Sequence, residues 1–217
     1  MAKLSIAHTL LLLILDDESG KPLVSDATKV LFALAGAALV ELQFSGRLVA
    51  VKANRFGIVD EPKRTDGLEW AAQRLGTKTR KLHQIVTKIG SGAWTTSIRG
   101  QLLEDLVAWG IVEKKQDRIF IIPLRTRYPL EEGTEVEAEA RDALLQYATS
   151  VESETPPTPF DGLLSILRYL SLLEAVLGEA LAAQPRIQKR TEMVPIGPDI
   201  KKAYDEYMMA IVMAAGS

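Results

Sequence analysis

The 217-residue sequence contains no cysteine and only two histidines, His8 and His83. Without cysteine the chain has no disulfide, no thiolate nucleophile and no cysteine-based metal site, and this composition is compatible with a reducing cytoplasm. Neither histidine has a second histidine or a cysteine spaced to share a metal ion with it, so we predict no metal site. His8 lies among apolar residues, and we interpret it as a partly buried histidine with satisfied hydrogen bonds.

An excess of charge of either sign is also lacking. Twenty-six Lys and Arg face 28 Asp and Glu, which gives a formal net charge of −2. An anionic partner must therefore be met by a local basic cluster and not by a general field. We accordingly expect no nucleic acid partner.

Catalytic motifs are missing as well. The acidic run Asp16-Asp17-Glu18 lacks the alternating ligand spacing of a calcium loop, so it is interpreted as a solvated helix end. The triplet at residues 90–92 lacks the spacing of a nucleophile elbow, and the triplet at 76–78 lacks that of a phosphate-binding loop. We therefore expect a protein that is not an enzyme and that carries no cofactor.

Apolar runs are present, but they are too short to predict a membrane span. The leucine-rich run at residues 10–15 is followed at once by acidic residues and has no signal-peptide cleavage site. The run at residues 30–40 ends at Glu41, well short of the roughly 20 apolar residues that a spanning helix needs. The sequence therefore predicts no segment that crosses a bilayer.

The segment from about residue 27 to residue 44 is apolar on every face. A helix without a polar stripe must be enclosed by other elements, and Gly36 within it predicts that another backbone approaches closely. With 47% hydrophobic and 25% charged residues the composition is that of a globular protein. We predict one domain over residues 1–217, mainly α, in which this hydrophobic helix is wrapped by amphipathic helices, with one or two small β-hairpins.

Three further predictions concern the C-terminal half of the sequence. A hairpin at residues 111–124 is expected to turn at Gln116-Asp117. A long helix is expected from Pro159 to about residue 183, followed by a loop at 186–198. The last helix is predicted over about 199–214, with Met208 and Ile211 on its inner face.

Two sets of residues rise above this background. A helix at 95–109 followed by a hairpin with Lys114, Lys115 and Arg118 has the order of a winged helix, although Glu104 and Asp105 on that helix would repel phosphate. A DNA-binding regulator of the winged-helix type is therefore the alternative function. The second set consists of four arginines near the ends of predicted elements, a residue type suited to bidentate phosphate contacts: Arg47, Arg99, Arg125 and Arg127.

The sequence also resembles the Golgi phosphoprotein 3 family over about residues 3–180. The resemblance rests on the leucine-rich residues 4–15 with the following Asp-Asp-Glu-Ser-Gly, on residues 35–48, on residues 106–112 and on the helix at 163–177. Its most distinctive motif is Gly-x-x-Leu-x-Glu-Leu-x-x-x-Gly-Arg, which runs from Gly36 to Arg47. Within the family the chain more closely resembles the bacterial branch.

The resemblance implies a function at membranes. Eukaryotic members are peripheral membrane proteins that bind phosphatidylinositol 4-phosphate on the Golgi and retain glycosyltransferases there. Of the family's four lipid-site positions, Arg99 matches one, whereas Asp26, Ala35 and Thr96 stand at the other three. We expect Arg99 to bind an anionic headgroup together with Arg125 or Arg127.

The family's hairpin, which aids self-association and membrane contact, corresponds to residues 111–124. Phe120 and Ile121 keep its apolar character. We therefore expect a non-enzymatic cytoplasmic adaptor at the membrane periphery that binds anionic phospholipids, with phosphatidylinositol 4-phosphate implied by the resemblance. The further partners expected are protein tails and a second copy of the chain bound through the hairpin.

Overall fold

The computed structural model describes residues 4–16, 19–52, 55–59, 67–76, 78–91, 97–119, 122–152, 154–194 and 196–215. These residues form eleven helices and two two-stranded antiparallel sheets. The helices are α1 (Ile6–Leu13), α2 (Ala27–Phe44), α3 (Gly67–Leu75), α4 (Leu82–Gly90), α5 (Ile98–Ala108), α6 (Val136–Ser150), α7 (Pro159–Leu170), α8 (Leu173–Leu177), α9 (Glu179–Ala182), α10 (Pro185–Met193) and α11 (Ile196–Ala215). The strands are β1 (Leu48–Lys52), β2 (Arg55–Ile58), β3 (Lys115–Ile119) and β4 (Ile122–Arg127). The predicted mainly α fold with small hairpins is confirmed.

Helix α2 is the centre of the fold, as its apolar faces predict. It contacts α1, α3, α4, α5, α7 and α11, and its buried residues run from Val30 to Val40 without interruption. By length and composition α2 would also suit a membrane span, but 67% of it is buried inside the protein. It therefore has the environment of a core helix.

Two glycines allow neighbouring helices to approach closely. A Cβ atom added to Gly36 of α2 would lie 2.3 Å from Cδ1 of Ile200 in α11, and one added to Gly162 of α7 would lie 2.6 Å from Cγ1 of Val40 in α2. The sequence predicted the close approach at Gly36. The group that approaches is the Ile200 side chain, however, and not a backbone.

Helices α7 and α11 both run antiparallel to α2. In α7, Gly162 lies beside Val40, whereas the ring of Tyr169 lies 5.0 Å from Nζ of Lys29 near the start of α2. In α11, Ile200 lies beside Gly36, and further along the Tyr204 hydroxyl donates to Asp26, the N-cap of α2, at 2.5 Å. Helix α11 therefore advances towards the end of the fold at which α2 begins.

The predicted long helix from Pro159 to residue 183 is wrong. Ser171 has φ +63° and ends α7 in the left-handed region, and Gly178 with φ +79° separates α8 from α9. The predicted loop at 186–198 is also wrong, because its first part forms α10. Pro185 occupies the first turn of α10, where its missing N–H costs nothing.

A buried ion pair explains why α10 folds back onto the protein. Arg190 is fully buried, and it donates to both carboxylate oxygens of Asp161 in α7 at 2.7 and 2.5 Å. It also donates to the Tyr147 hydroxyl of α6 at 2.7 Å and to the Thr155 carbonyl oxygen at 2.6 Å. Burial by itself lowers the pKa of Arg190, but the contacts with Asp161 and Tyr147 raise it above its ordinary value. One guanidinium therefore joins α6, α7 and α10.

The hairpin formed by β3 and β4 has a different turn from the predicted one. Gln116 and Asp117 lie inside β3, where they pair with Thr126 and Arg125 of β4. The pairing continues to Ile119 and Ile122, which face each other in the register. The polar pair suggested a turn by composition, but cross-strand pairing within the hairpin extends the strands past it.

The end of α11 also differs from the prediction. Ile211 was expected on the inner face of the last helix, but 44% of it is exposed. Met208 is half-buried. The segment is helical, as its apolar spacing predicted. Its last turns extend past the packed core, so Ile211 is not covered.

The Arg190 ion pair provides a first test of the fold. We expect Arg190→Met to lower the free energy of unfolding by about 3–5 kcal/mol, because it leaves the buried Asp161 carboxylate without its counter-charge. Urea denaturation would measure the change. The neighbouring Lys189→Ala, which removes only an exposed ion pair with Glu154, should leave the midpoint nearly unchanged. Equal midpoints for the two variants would show that the buried pair does not hold α10 in place.

Candidate anion-binding site

A cavity of about 680 Å³ lies between the α1–α2 connection, the first turn of α5 and the end of β4. Its lining comes from these three segments, from the first residue of α2 and from the residue before β3: Gly20, Lys21, Pro22, Val24, Ser25, Ala27, Arg99, Lys114, Thr126, Arg127 and Tyr128. We call it the cationic cavity. Among the described residues, its lining includes four basic side chains and no carboxylate.

Arg99 is the most enclosed of the four. Ser97 caps α5 by accepting a hydrogen bond from the Gly100 N–H at 3.3 Å, and this cap places Arg99 in the first turn of the helix. Arg99 is only 4% exposed, and burial lowers its pKa to about 10, while nearby Tyr128 acts in the opposite direction. A bound anion would offset this desolvation, and the positive end of the α5 dipole would add to the attraction.

Gly20 holds one wall of the cationic cavity in place. Its φ of +61° is in the left-handed region, and a Cβ added to it would lie 2.4 Å from the carbonyl carbon of Tyr128. Around it the α1–α2 connection is tied by a hydrogen bond from the Asp16 N–H to the Lys21 carbonyl oxygen at 2.8 Å. Only glycine therefore lets this connection lie directly against the backbone that follows β4.

Asp26 stands at a position expected from the resemblance to contribute to the lipid site, but it caps α2. One carboxylate oxygen accepts from the Lys29 N–H at 2.9 Å, and the other accepts from Tyr204. Burial by itself raises the pKa of Asp26, but these hydrogen bonds lower it below its ordinary value. Asp26 does not line the cationic cavity, although Ser25 and Ala27 on either side of it do.

The structure brings together only part of the predicted arginine set. Arg99 and Arg127 both line the cationic cavity. The backbone of Arg125 pairs with Asp117 in the β3–β4 sheet, and its side chain lies outside the described part of the protein. Arg47 is buried elsewhere, where it donates to Glu69 at 2.8 Å.

Other predicted positions lie outside the described residues. These are Phe120 and Ile121, which follow Ile119 in the sequence, and Thr96, which precedes Ser97. Sequence reasoning missed Lys21 as a site residue, and it assigned Lys114 only to a DNA-binding wing. The sequence offered one indication of a role for these lysines: each lies in a connection next to a predicted helix or strand. This indication is weak, because surface lysines are common in such connections.

The histidines take no part in the cationic cavity. His8 is buried, with Nδ1 2.7 Å from Ser5 Oγ and Nε2 3.1 Å from Asp105 Oδ2, so the predicted satisfied histidine is confirmed. Its ring packs 4.7 Å from that of Trp109, which lines a separate apolar cavity of about 360 Å³. The described residues contain no group of three or more side chains that could hold a metal ion.

The fold and the site together define a class of protein: a mainly α-helical domain, built around one buried apolar helix, with a cationic cavity beside the start of that helix. The model of the Golgi phosphoprotein 3 (GPP34) family matches residues 6–207. The chain belongs to this family, as its sequence resemblance indicated. A comparison with curated proteins gives no match.

The role of Gly20 can be isolated with a matched control. Gly133 also has a positive φ, +78°, but nothing lies within 4 Å of a Cβ added there. Gly133→Ala should therefore cost only the left-handed strain of about 1–2 kcal/mol. Gly20→Ala should cost about 1–3 kcal/mol more because of the contact with Tyr128. Equal urea midpoints for the two variants would argue against the close approach.

Arg99 can be tested with inorganic phosphate as the probe. Phosphate should raise the Tm of the wild-type protein, because a ligand of the folded state stabilises it, and it should not raise that of Arg99→Met. The substitution keeps an apolar stem and removes a desolvated charge, so the variant should fold. Lys189→Met, which lies outside the cavity, should respond like the wild type. Identical Tm shifts for Arg99→Met and the wild type would rule out Arg99 as the anion ligand.

Proposed function

We propose that this protein is a peripheral membrane adaptor that binds the anionic headgroup of a phospholipid in the cationic cavity. The observation that carries the proposal is the convergence of Lys21, Arg99, Lys114 and Arg127 on one cavity, in a chain whose net charge is −2. A surplus of basic groups at one place in an otherwise balanced chain is the arrangement that an anionic partner requires.

The chemistry of the lining suits a phosphate group. Guanidinium groups such as those of Arg99 and Arg127 can contact phosphate oxygens in pairs, and Lys21 and Lys114 add point charges at the rim. The volume of about 680 Å³ lies within the range of small-molecule sites. Family membership supports a phosphoinositide, and phosphatidylinositol 4-phosphate is the headgroup that we propose first.

A binding role is better supported than a catalytic one. The described lining contains neither a histidine nor a carboxylate that could act as a general base beside the bound phosphate. We propose that the protein acts on the cytoplasmic side of a membrane as an adaptor, as in the family. Capture of protein tails and self-association through the β3–β4 hairpin stay predictions, since Phe120 and Ile121 lie outside the described residues.

The DNA-binding alternative has weaker support. The order of α5 and the β3–β4 hairpin matches a winged helix, but the exposed positions of α5 are Glu104 and Ala108. Arg99 is the one cation of that helix, and it is buried in the cationic cavity. The exposed positions of this helix carry no positive charge to place against DNA phosphates.

Vesicle co-sedimentation tests the proposal. Wild-type protein should bind vesicles that contain phosphatidylserine or phosphatidylinositol 4-phosphate, and not vesicles of phosphatidylcholine alone. Arg127→Glu combined with Lys114→Glu should weaken binding by about tenfold or more, because each basic residue near an anionic surface contributes about 1 kcal/mol and each reversal also adds repulsion.

The matched control is Lys189→Glu, which reverses an exposed charge on α10. Its neighbour Arg190 binds Asp161, so this position lies towards the end of α2 that is remote from the cationic cavity. This variant should bind vesicles like the wild type. Binding that is unaffected by the double reversal would remove the headgroup site from the cationic cavity. A salt-dependent mobility shift of duplex DNA without vesicle binding would instead favour the winged-helix alternative.

A further inference from the structure

The last turns of α11 expose an unusual amount of apolar surface. Met209, Val212 and Met213 are 66%, 67% and 72% exposed, and Ile211 is 44% exposed. No charged residue follows Glu206 in α11, so residues 207–215 are apolar apart from the hydroxyl of Tyr207. Exposed apolar surface of this kind marks an interaction site and is not an ordinary solvated helix end.

The apolar residues are not confined to one face. Consecutive residues of a helix are 100° apart, so the exposed residues 209–214 are distributed around the whole axis. A helical or globular partner covers one stripe of a helix and leaves the other side in water. An apolar helix without a polar stripe needs an environment that surrounds it, and the lipid phase of a membrane does so.

This segment lies towards the same end of the fold as the cationic cavity. Tyr204 of α11 donates to Asp26 at the start of α2, and the neighbours of Asp26 line the cavity. Beyond Tyr204 the helix continues away from Gly36, in the direction set by the antiparallel packing of α11 on α2. Leu23, in the connection that forms one cavity wall, is 53% exposed and adds apolar surface there.

We propose that residues 208–215 of α11 form an apolar anchor that enters the membrane beside the headgroup site. The inference rests on the proposed membrane function and adds a second, independent attachment to it. Stable attachment of a peripheral protein needs two signals, and a charged site combined with an inserted apolar segment meets that need. The eight residues rise about 12 Å along the helix, close to half of the roughly 30 Å hydrocarbon core.

Insertion can be followed directly, because the chain has no cysteine and a single introduced thiol is unique. Met213→Cys labelled with a polarity-sensitive fluorophore should shift to the blue on vesicles of phosphatidylcholine with phosphatidylserine. Its emission should also be quenched by lipids that carry a spin label in the acyl chain. The control is Ser150→Cys, at an exposed residue that ends α6. Helix α6 contacts Asp161 through Tyr147, so this control lies towards the end of α2 that is remote from the proposed anchor. The control label should show neither effect.

The second measurement is the binding of Val212→Asp to the same vesicles. It should be at least about tenfold weaker than for the wild type, because burial of one aliphatic side chain corresponds to roughly that factor. The matched control is Val51→Asp, which places the same charge at a 52% exposed valine of β1. Both positions are exposed, so both variants should keep the wild-type urea midpoint.

The outcomes separate the anchor from the headgroup site. If the wild type binds and the double reversal of Arg127 and Lys114 abolishes binding, but the Met213→Cys label and Val212→Asp behave like their controls, the anchor is rejected and the headgroup site stands. If the label inserts and Val212→Asp weakens binding while the double reversal has no effect, the headgroup site is rejected and the anchor stands. Absence of binding to every vesicle rejects both. A dimer in light scattering that Val212→Asp dissociates without loss of vesicle binding would assign the segment to a second copy of the chain.

Discussion

The need to enclose an apolar helix governs the architecture of this protein. Helix α2 has no polar stripe, so every direction around it must be occupied by another element. Helices α4, α7 and α11 pack along it, and Gly36 and Gly162 let side chains of the facing helices approach closely. The N-cap of α2 supplies polar contacts at its first turn, where Asp26 accepts a hydrogen bond from Tyr204.

The candidate site follows from this arrangement. Most of the interior is filled by apolar side chains, and the cationic cavity lies at the margin, between the α1–α2 connection, the first turn of α5 and the end of β4. Two of the chain's acidic residues form ion pairs away from this cavity: Glu69 accepts from Arg47, and Asp161 accepts from Arg190. In a chain with a net charge of −2, four basic side chains line the same cavity.

The same end of the fold carries the two surfaces that we propose a membrane recognises. In this proposal the cationic cavity binds a headgroup, and the last turns of α11 enter the acyl region. Neither is strong enough alone, since exposed charges are screened by salt and a short apolar segment buries limited area. Because both lie towards the end of the fold at which α2 begins, one bilayer could contact both.

The sequence by itself determined the mainly α fold, the central place of residues 27–44 and the family, because hydrophobic periodicity and short motifs are local properties of the chain. It also predicted Arg99 and Arg127 as site residues, which line the cationic cavity, but it could not distinguish them from Arg47, which forms a buried ion pair. Only the tertiary structure decided that Lys21, Lys114, Arg99 and Arg127 meet, because they come from connections and element ends whose relative positions depend on long-range packing. The tertiary structure also decided that α10 replaces a predicted loop, because the Asp161–Arg190 pair joins residues far apart in the chain. It decided that Ile211 is exposed, because the burial of a residue depends on how far the packed core extends.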